Sequence, residues 1–419
     1  MSNLATCELI SVGTEILLGD ILNTDAQFLS QELAKLGISV MHQSTVGDNA
    51  DRLKSLLDEA ARRSDIIILS GGLGPTPDDI TKEVCCEFFG KKMYLHKESL
   101  DRMTAYFKEK SRPMPDNNIK QAMLPEDCVV FPNNNGTAPG LAMEKDGTHL
   151  LLLPGPPREL KAMFRESSLP YLKQFSDRVI ISHNVRTFGI GESAMAEKVA
   201  DLLDMSNPTV APYAKDGEAL LRVTAMADSE EQAEKMCLPV IEEIKSRLGD
   251  TVYGVDYTCI EEAVVSLLRE NGLKVTTAES CTGGLIAKRI TNVSGSSEVF
   301  ECGIVSYSNR IKNEILGVSS EDLEKYGAVS ETVARQMAEG VLKVSGADIA
   351  VSVTGIAGPN GDGSDKPVGL SYIGFADKNG SFATELKTGR TDREYNRYVN
   401  ASNALNIIRK YIRNEINGR

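Results

Sequence analysis

The sequence of 419 residues contains no long hydrophobic run. Its most apolar stretches, such as residues 66–69 and 150–153, end after a few positions, whereas a membrane-spanning helix needs about 18 or more apolar residues. The first residues also lack the basic region and the apolar core of a signal peptide. We therefore expect a cytoplasmic protein without a membrane span.

Clusters of basic residues are absent as well. The 46 Lys and Arg are outnumbered by 59 Asp and Glu, for a net charge of −13. Because binding to a polyanion needs clustered positive charge, nucleic acid is not the expected partner. The 41% of hydrophobic residues and 25% of charged residues exclude disordered and collagen-like chains. At about 150 residues per domain, the length predicts about three domains.

Cysteine and histidine can act in catalysis or bind metals, but the cysteines of this sequence are unfavourably spaced and its histidines are few. The eight cysteines include no CxxC pair, which argues against a zinc site or a disulfide framework and favours free thiols. The four histidines are His42, His96, His149 and His183, and none follows. A Ser-His-Asp triad within the C-terminal half is therefore excluded.

The N-terminal region alternates apolar runs with amphipathic segments. This alternation predicts a parallel sheet with helices on both faces. The predicted strands are 7–12, 38–46, 65–70 and 149–153, and the predicted helices are 24–36, 51–63 and 79–89.

The middle region has a different order of predicted strands and helices. We predict strands at 179–189, 209–214 and 219–226, and a helix after residues 191–193. A long helix begins at Ser229 with a capping box completed by Gln232, and Pro239 predicts a kink or break in it. This composition indicates a small α+β domain.

The C-terminal region is a second α/β unit. It opens with a predicted capping box of Thr258 and Glu261, and its first helix ends at Asn271 with Gly272 as the C′ residue. Predicted strands follow at 273–278, 302–307, 349–354 and 368–376. We therefore predict two parallel-sheet α/β domains, 1–174 and 256–419, joined by a small α+β domain, 175–255.

Several polar loops of the N-terminal region follow predicted strands. The Gly-rich segment 70–79 leads from a strand into a helix, where free amides can bind an anion. Segments 13–25, 135–140 and 153–159 fall at the same sheet edge. A nucleotide or pyrophosphate held with a divalent cation is the expected ligand. The candidate metal ligands are Asp20, Asp78, Asp79 and Glu159.

The C-terminal region places hydroxyl groups at three strand ends. Ser280 lies on a strand-to-helix turn, where backbone amides can stabilise an oxyanion. In the absence of a histidine, Lys312 is the best candidate for the base, with Tyr307 as relay. Cys281 is a weaker rival nucleophile, since only the helix terminus could favour its thiolate.

These motifs together resemble the CinA family of competence/damage-inducible proteins along essentially the whole chain. The resemblance rests on segments 13–23, 71–79, 136–140 and 154–159, on Gly189–Ser193, and on segments 276–284, 304–312, 355–359 and 366–369. It implies a molybdenum-cofactor-biosynthesis-like N-terminal domain, a KH-like connecting domain without the RNA-gripping loop, and a C-terminal deamidase domain. It also implies a homodimer that acts on small nucleotides.

For the N-terminal domain the resemblance implies an ADP-ribose pyrophosphatase that needs Mg, Mn or Co, with potassium. Asp79 takes the place of a catalytic acidic residue of molybdopterin-handling relatives. The expected substrate-binding residues are Gly13, Thr14, Asn23, Gly71, Gly72, Gly74, Thr76, Gly136, Thr137 and Gly155.

For the C-terminal domain the resemblance implies hydrolysis of nicotinamide mononucleotide to nicotinic acid mononucleotide and ammonia, without a cofactor. Ser280 would attack the carboxamide, Lys312 would accept and return the proton, and Tyr307 would assist. The remaining expected site residues are Thr354, Glu279, Cys281, Thr282, Gly283, Gly284, Gly355, Arg393 and Arg397, with the two arginines on the substrate phosphate.

Two other functions stay open at this point. One is a competence or DNA-repair accessory protein that binds nucleic acid through the KH-like segment, which the net charge disfavours. The other is a molybdopterin-binding protein.

Overall fold

The computed structural model describes residues 5–175, 178–215 and 217–415. The chain forms two compact units, one of Met1–Ser182 with Thr224–Cys237, the other of His183–Val223 with Leu238–Arg419. Within the described ranges, none of the helices has the length and apolar character needed to cross a membrane.

The N-terminal part alternates strands and helices as predicted. In chain order its elements are β1 (Thr6–Val12), α1 (Thr14–Leu18), α2 (Thr24–Lys35), β2 (Ser39–Val46), α3 (Ala50–Ala61), β3 (Ile66–Ser70), α4 (Thr81–Phe89), β4 (Met93–Leu95), α5 (Lys97–Glu109), β5 (Met123–Pro125), β6 (Val129–Phe131), β7 (Gly140–Lys145), β8 (Thr148–Leu153), α6 (Pro157–Met163) and α7 (Leu169–Leu172). The central strand β3 is buried at all its positions, which explains its continuous apolar run.

The main sheet of this part has the order β2-β1-β3-β8-β7-β6. β1 pairs in parallel with β2 and β3, and β3 pairs in parallel with β8, so the carboxyl ends of these strands meet at one edge. The antiparallel strands β7 and β6 extend the sheet beyond β8. Sequence analysis missed them, because β6 has three residues and β7 contains Glu and Lys, which disfavour strands.

The middle part contains a four-stranded sheet with the order β10-β11-β9-β12. Its elements are β9 (Val179–Phe188), α8 (Glu192–Lys198), α9 (Ala200–Leu203), β10 (Thr209–Lys215), β11 (Glu218–Ala227), α10 (Glu230–Leu248) and β12 (Val252–Val255). The strand β12, which the sequence did not reveal, pairs antiparallel with β9.

Helix α10 confirms one prediction and corrects another. The hydroxyl oxygen of Ser229 accepts a hydrogen bond from the amide of Gln232 at 3.3 Å, as the predicted cap requires. The predicted break at Pro239 is wrong, because the helix continues through it to Leu248. A buried stripe at helical spacing offsets the lost backbone hydrogen bond; it consists of Ala233, Cys237, Ile241, Ile244 and Leu248.

The C-terminal part carries eleven further α-helices and β-strands in its described residues. They are α11 (Ile260–Glu270), β13 (Val275–Glu279), α12 (Leu285–Thr291), β14 (Phe300–Val305), α13 (Asn309–Leu316), α14 (Ser320–Tyr326), α15 (Glu331–Ser345), β15 (Ile349–Gly355), β16 (Leu370–Asp377), β17 (Gly380–Lys387) and, at the end, α16 (Arg393–Ile412). The sheet order is β14-β13-β15-β16-β17. β13 pairs in parallel with β14 and β15, while β16 and β17 are antiparallel additions.

The start of α11 corrects the second predicted capping box. Glu262, rather than Glu261, accepts hydrogen bonds from the amide and the hydroxyl of Thr258, both at 2.7 Å. The helix begins at Ile260 with Cys259 as its N-cap, so Glu262 is its third residue and reaches back to Thr258, the residue before the cap. The carboxylate of Glu261 instead pairs with Arg289 at 2.8 Å.

Gly340 allows a close contact between two helices of the C-terminal part. A Cβ at this position of α15 would overlap the carbonyl oxygen of Leu316, the last residue of α13. Because a backbone atom stands in the way, the clash cannot be relieved by rotating a side chain.

We predict that Gly340→Ala destabilises the protein. Helix propensity alone would favour Ala by about 1 kcal/mol, but the overlap with Leu316 should reverse the sign and lower the free energy of unfolding by about 1–3 kcal/mol. Urea unfolding followed by circular dichroism measures the change. Gly361→Ala is the control, since a Cβ there meets nothing within 4 Å. A stabilised Gly340→Ala variant would contradict the contact.

Candidate functional site

Ser280 lies at the edge where three parallel strands of the C-terminal part end. Its amide donates to the carbonyl oxygen of Val353 on β15 at 2.9 Å. On the other side, the amide of Ser306, directly after β14, donates to the carbonyl oxygen of Glu279 at 2.9 Å. The three strand ends that the sequence expected to converge therefore do so.

Lys312 reaches this edge from the first turn of α13. Its Nζ donates to Ser280 Oγ at 3.1 Å and to the carbonyl oxygens of Ser306 and Tyr307 at 2.8 and 3.2 Å. The lysine is 1% exposed and Ser280 is 9% exposed. Burial lowers the pKa of Lys312 to about 8, because the ammonium form loses its hydration. A neutral amine can thus take a proton from the serine hydroxyl near physiological pH.

Cys281, the rival nucleophile, stands in a different environment. Burial raises the pKa of its thiol to about 12, and its Sγ accepts from Asn400 Nδ2 at 3.8 Å. Because nucleophilic attack needs the thiolate, this environment favours Ser280 over Cys281.

The hydroxyls of Tyr307 and Thr354 make hydrogen bonds to groups other than Ser280 and Lys312. Tyr307 is 62% exposed, and its Oη accepts from Arg393 Nη2 at 3.2 Å. The Thr354 hydroxyl donates to the carbonyl oxygen of Ala328 at 2.8 Å. Within the described residues, neither side chain is hydrogen-bonded to Ser280 or Lys312.

The two predicted phosphate-binding arginines lie at the strand ends. Arg397 Nη2 donates to the carbonyl oxygen of Thr282 at 2.8 Å, and Arg393 Nη1 donates to that of Gly358 at 3.0 Å. Both guanidinium groups therefore reach loops that follow β13 and β15. Gly355 is the last residue of β15.

Two asparagines of α16 escaped sequence analysis. Asn396 Nδ2 donates to the carbonyl oxygen of Ala357 at 2.9 Å, and Asn400 accepts from the Ser371 hydroxyl at 2.6 Å. Together with the two arginines they occupy positions 393, 396, 397 and 400, which is the spacing of one helical face. That spacing was the signal that could have revealed them.

The turn after Ser280 is stabilised by Glu279. Its carboxylate accepts from the amides of Ile286 and Ala287 at 3.0 and 2.8 Å, which places a negative charge at the N-terminus of α12. The amide of Gly283 closes the turn by donating to the carbonyl oxygen of Ser280 at 3.1 Å, and Gly284 is the N-cap of α12. Glu279 thus has a local structural role in this arrangement.

In the N-terminal unit, a cavity of about 590 Å³ lies at the carboxyl ends of β1, β3 and β8. The loops that follow these strands line it, together with the loop before β7. The predicted ligand contacts that line this cavity are Gly13, Asn23, Gly71, Gly72, Gly74, Thr137 and Gly155.

Three predicted contacts lie outside this cavity. The Thr14 hydroxyl donates to Asp48 Oδ2 at 2.8 Å, and the Thr76 amide donates to Asp79 Oδ2 at 2.9 Å. Gly136 lines a smaller neighbouring cavity of about 240 Å³. These residues shape the loops rather than the wall of the larger cavity.

Gly71 shows why one of these loops needs glycine. Its φ of 98° lies in the left-handed region, and its amide donates to the carbonyl oxygen of Leu153 at 3.1 Å. A Cβ would overlap the carbonyl oxygen of Val12. The chain can therefore pass between the ends of β1 and β8 only without a side chain.

The predicted metal site is only partly assembled. Asp78, Asp79 and Glu159 line the cavity, whereas Asp20 does not. Glu159 accepts from Asn133 Nδ2 at 2.7 Å, and burial raises its pKa. Among the residues that the structure describes, no three His, Cys, Asp or Glu side chains form a group that could hold a metal ion. Of the four predicted metal ligands, Asp20 is thus the one that lies apart from the cavity.

Three further carboxylates of the cavity were missed, although they also follow strands or open a helix. Glu15, Asp25 and Asp48 line it. Burial raises the pKa of Asp25 to about 6, and its Oδ1 is buried without a partner among the described residues. None of the described residues that line the cavity is Lys, Arg or His. The charge of these side chains therefore disfavours an anionic ligand that enters without a cation.

Three family models match successive parts of the chain. They are "Probable molybdopterin binding domain" over residues 8–174, "Damage-inducible protein CinA KH domain" over 182–254, and "CinA C-terminal domain" over 258–412.

Whole-length relatives are similar to the chain. A CinA-like protein of Dictyoglomus turgidum is 51% identical over 97% of this chain and 99% of its own length. A CinA-like protein of Kosmotoga olearia is 49% identical over 96% and 98%. A solved structure of the competence/damage inducible protein CihA from Agrobacterium tumefaciens is 43% identical, covers 36% of this chain and 91% of that one, and has a TM-score of 0.35.

Proposed function

The chain belongs to the CinA family, and on that premise we propose that it hydrolyses two nucleotides of pyridine nucleotide salvage. The C-terminal site converts nicotinamide mononucleotide to nicotinic acid mononucleotide and ammonia. The N-terminal cavity splits ADP-ribose into AMP and ribose 5-phosphate. The family resemblance suggests the substrates, and the 3.1 Å between Lys312 Nζ and Ser280 Oγ supports the chemistry of the first reaction.

In the amidase reaction, neutral Lys312 takes the hydroxyl proton as Ser280 Oγ attacks the carboxamide carbon. The lysine then gives this proton to the departing nitrogen, which leaves as ammonia, and a serine ester remains. A water molecule attacks the ester while Lys312 accepts one of its protons. Lys312 returns that proton to Ser280 Oγ, which restores the enzyme and releases the carboxylic acid product.

Substrate orientation falls to the groups around this pair. In the proposed mechanism the amides of Cys281, Thr282 and Gly284 stabilise the developing oxyanion, whereas the Gly283 amide is engaged with the carbonyl oxygen of Ser280. Arg393 and Arg397 bind the 5′-phosphate, since a guanidinium matches phosphate geometry. Tyr307 contributes by holding Arg393 through its Oη, so its proposed assistance is to binding rather than to proton transfer.

The N-terminal proposal rests on the charge of the cavity. Six carboxylates, from Glu15, Asp25, Asp48, Asp78, Asp79 and Glu159, line it. A pyrophosphate is repelled by such a wall unless cations accompany it. Oxygen donors of this kind fit Mg²⁺ or Mn²⁺, which proteins often bind through one or two carboxylates and the substrate phosphates. Such a metal ion would neutralise charge on the pyrophosphate, and Asp78 and Asp79 are the residues proposed to hold it.

We predict that Ser280→Ala abolishes ammonia release from nicotinamide mononucleotide. Loss of the nucleophile should lower kcat by about a thousandfold or more, measured with a coupled ammonia assay. Cys281→Ser is the comparison variant and should retain measurable turnover, because its thiol is not the attacking group. Wild-type turnover in Ser280→Ala, or loss only in Cys281→Ser, would reverse the assignment of the nucleophile.

The lowered pKa of Lys312 predicts a pH profile. Because the base must be neutral, kcat should rise about tenfold per pH unit below a pKa of about 8 and level off above it. Lys312→Arg keeps the positive charge and cannot give it up near neutral pH, so this variant should be inactive at every pH tested. A flat wild-type profile, or an active Lys312→Arg, would exclude lysine as the base.

For the N-terminal site we predict that AMP release from ADP-ribose needs added Mg²⁺ or Mn²⁺ and stops in excess chelator. Asp79→Ala should lower the rate roughly 10- to 100-fold, as measured by chromatography of AMP. Asp101→Ala is the control, because Asp101 is an exposed residue of α5. Full activity in chelator contradicts the proposal, and binding without AMP release would favour a pterin- or nucleotide-binding role instead.

A further inference from the structure

A short segment beside the N-terminal cavity exposes apolar side chains. Helix α1 buries none of its residues. Leu18 and Leu22 are 72% and 86% exposed, and Leu17 and Ile21 are 53% and 51% exposed. Because these side chains stay outside the core, folding gains little from them. A contiguous apolar patch of this kind points to a binding role.

Only part of the segment faces the cavity. Ile16, Ile21 and Leu22 line it and together form what we call the apolar wall, whereas Leu17 and Leu18 do not line it. Leu17 instead lies against the position of Gly47, 3.5 Å from where a Cβ would stand. The exposed segment therefore has a side toward the cavity and a side away from it.

Hydrogen bonds hold the segment at both ends. The Thr14 hydroxyl donates to Asp48 Oδ2 at 2.8 Å, and Asn23 Nδ2 donates to Ser11 Oγ at 2.9 Å. The amide of Asp20 closes the turn after α1 by donating to the carbonyl oxygen of Glu15 at 3.0 Å. These hydrogen bonds fix both ends of the segment that carries the apolar wall.

The rest of the cavity is lined by polar uncharged side chains such as Asn23, Gln121 and Thr137, and its other apolar residues are Val12, Leu73, Ala138 and four prolines. Glycine loops and six carboxylates supply most of its polar lining, and the described lining contains no Lys, Arg or His. A planar heterocycle has two apolar faces, and aliphatic side chains cover such faces well. The volume of about 590 Å³ is in the range of small-molecule sites.

We propose that the apolar wall is the subsite for the purine base of the nucleotide. This inference rests on the proposed ADP-ribose hydrolysis for the identity of the base, and it assigns the base to Ile16, Ile21 and Leu22. The pyrophosphate then lies toward the glycine loops and Asp79. The described lining has no basic side chain for the phosphates. Apolar contacts with the base therefore supply much of the affinity for the nucleotide.

The test uses the two proposed products as ligands, since AMP carries the base and ribose 5-phosphate does not. Full-length wild type, Leu22→Ser and Leu18→Ser are titrated with each ligand in the presence of Mg²⁺ by isothermal calorimetry. In Leu22→Ser the Kd for AMP should rise roughly tenfold, while that for ribose 5-phosphate stays within about twofold. Leu18→Ser is the matched control, because Leu18 belongs to the same segment but does not line the cavity.

Other outcomes overturn the subsite. Equal weakening of both ligands in Leu22→Ser, equal effects of the two variants, or failure of wild type to bind AMP each contradict it. If both variants convert a dimer into a monomer in sedimentation, the segment is an interface between copies and the subsite is wrong. If wild type does not hydrolyse ADP-ribose but AMP binding still depends on Leu22, the subsite stands and the pyrophosphatase proposal fails.

Discussion

Parallel pairing of neighbouring strands positions the groups of both candidate sites, because it brings successive strand ends to one sheet edge. In the C-terminal unit, β13 lies between β14 and β15, so Ser280 and Lys312 meet although they are 32 residues apart in the chain. In the N-terminal unit the same pairing of β1, β3 and β8 gathers loops from distant parts of the sequence around one cavity. The helices on the sheet faces then need only to orient the side chains that meet at this edge.

A lowered lysine pKa does not by itself identify a catalytic group in this protein. Lys82 is also buried, donates to the carbonyl oxygens of Lys120 and Gln121, and has a pKa lowered to about 8. Lys312 shares those features, since two backbone carbonyls take up its donors. What distinguishes Lys312 is the third acceptor, the hydroxyl of Ser280 on a strand-end turn. The hydrogen bond to the Ser280 hydroxyl, rather than the lowered pKa, therefore identifies Lys312 and not Lys82 as the candidate base.

Periodicity and loop composition predicted the order of the main strands and helices, because each depends on residues close in sequence. The same reasoning missed what depends on distant contacts. Asn396 reaches Ala357 across 39 positions, and the packing of α10 allows the helix to continue through Pro239. At the start of α11, Glu262 rather than the predicted Glu261 bonds Thr258, because the exact start of the helix is set by the fold. Short antiparallel edge strands such as β6 have too few residues to show the alternation of apolar and polar residues that predicts a strand.

The acidic lining of the N-terminal cavity bears on how a reaction there would end. Cleaving a pyrophosphate diester creates two phosphate monoesters and roughly doubles the negative charge carried by the bound ligands. With six carboxylates and no basic residue in the described lining, the wall repels the products more strongly than the substrate. If the proposed reaction takes place there, the acidic wall that disfavours entry of an anion without a cation would also favour release of the more highly charged products.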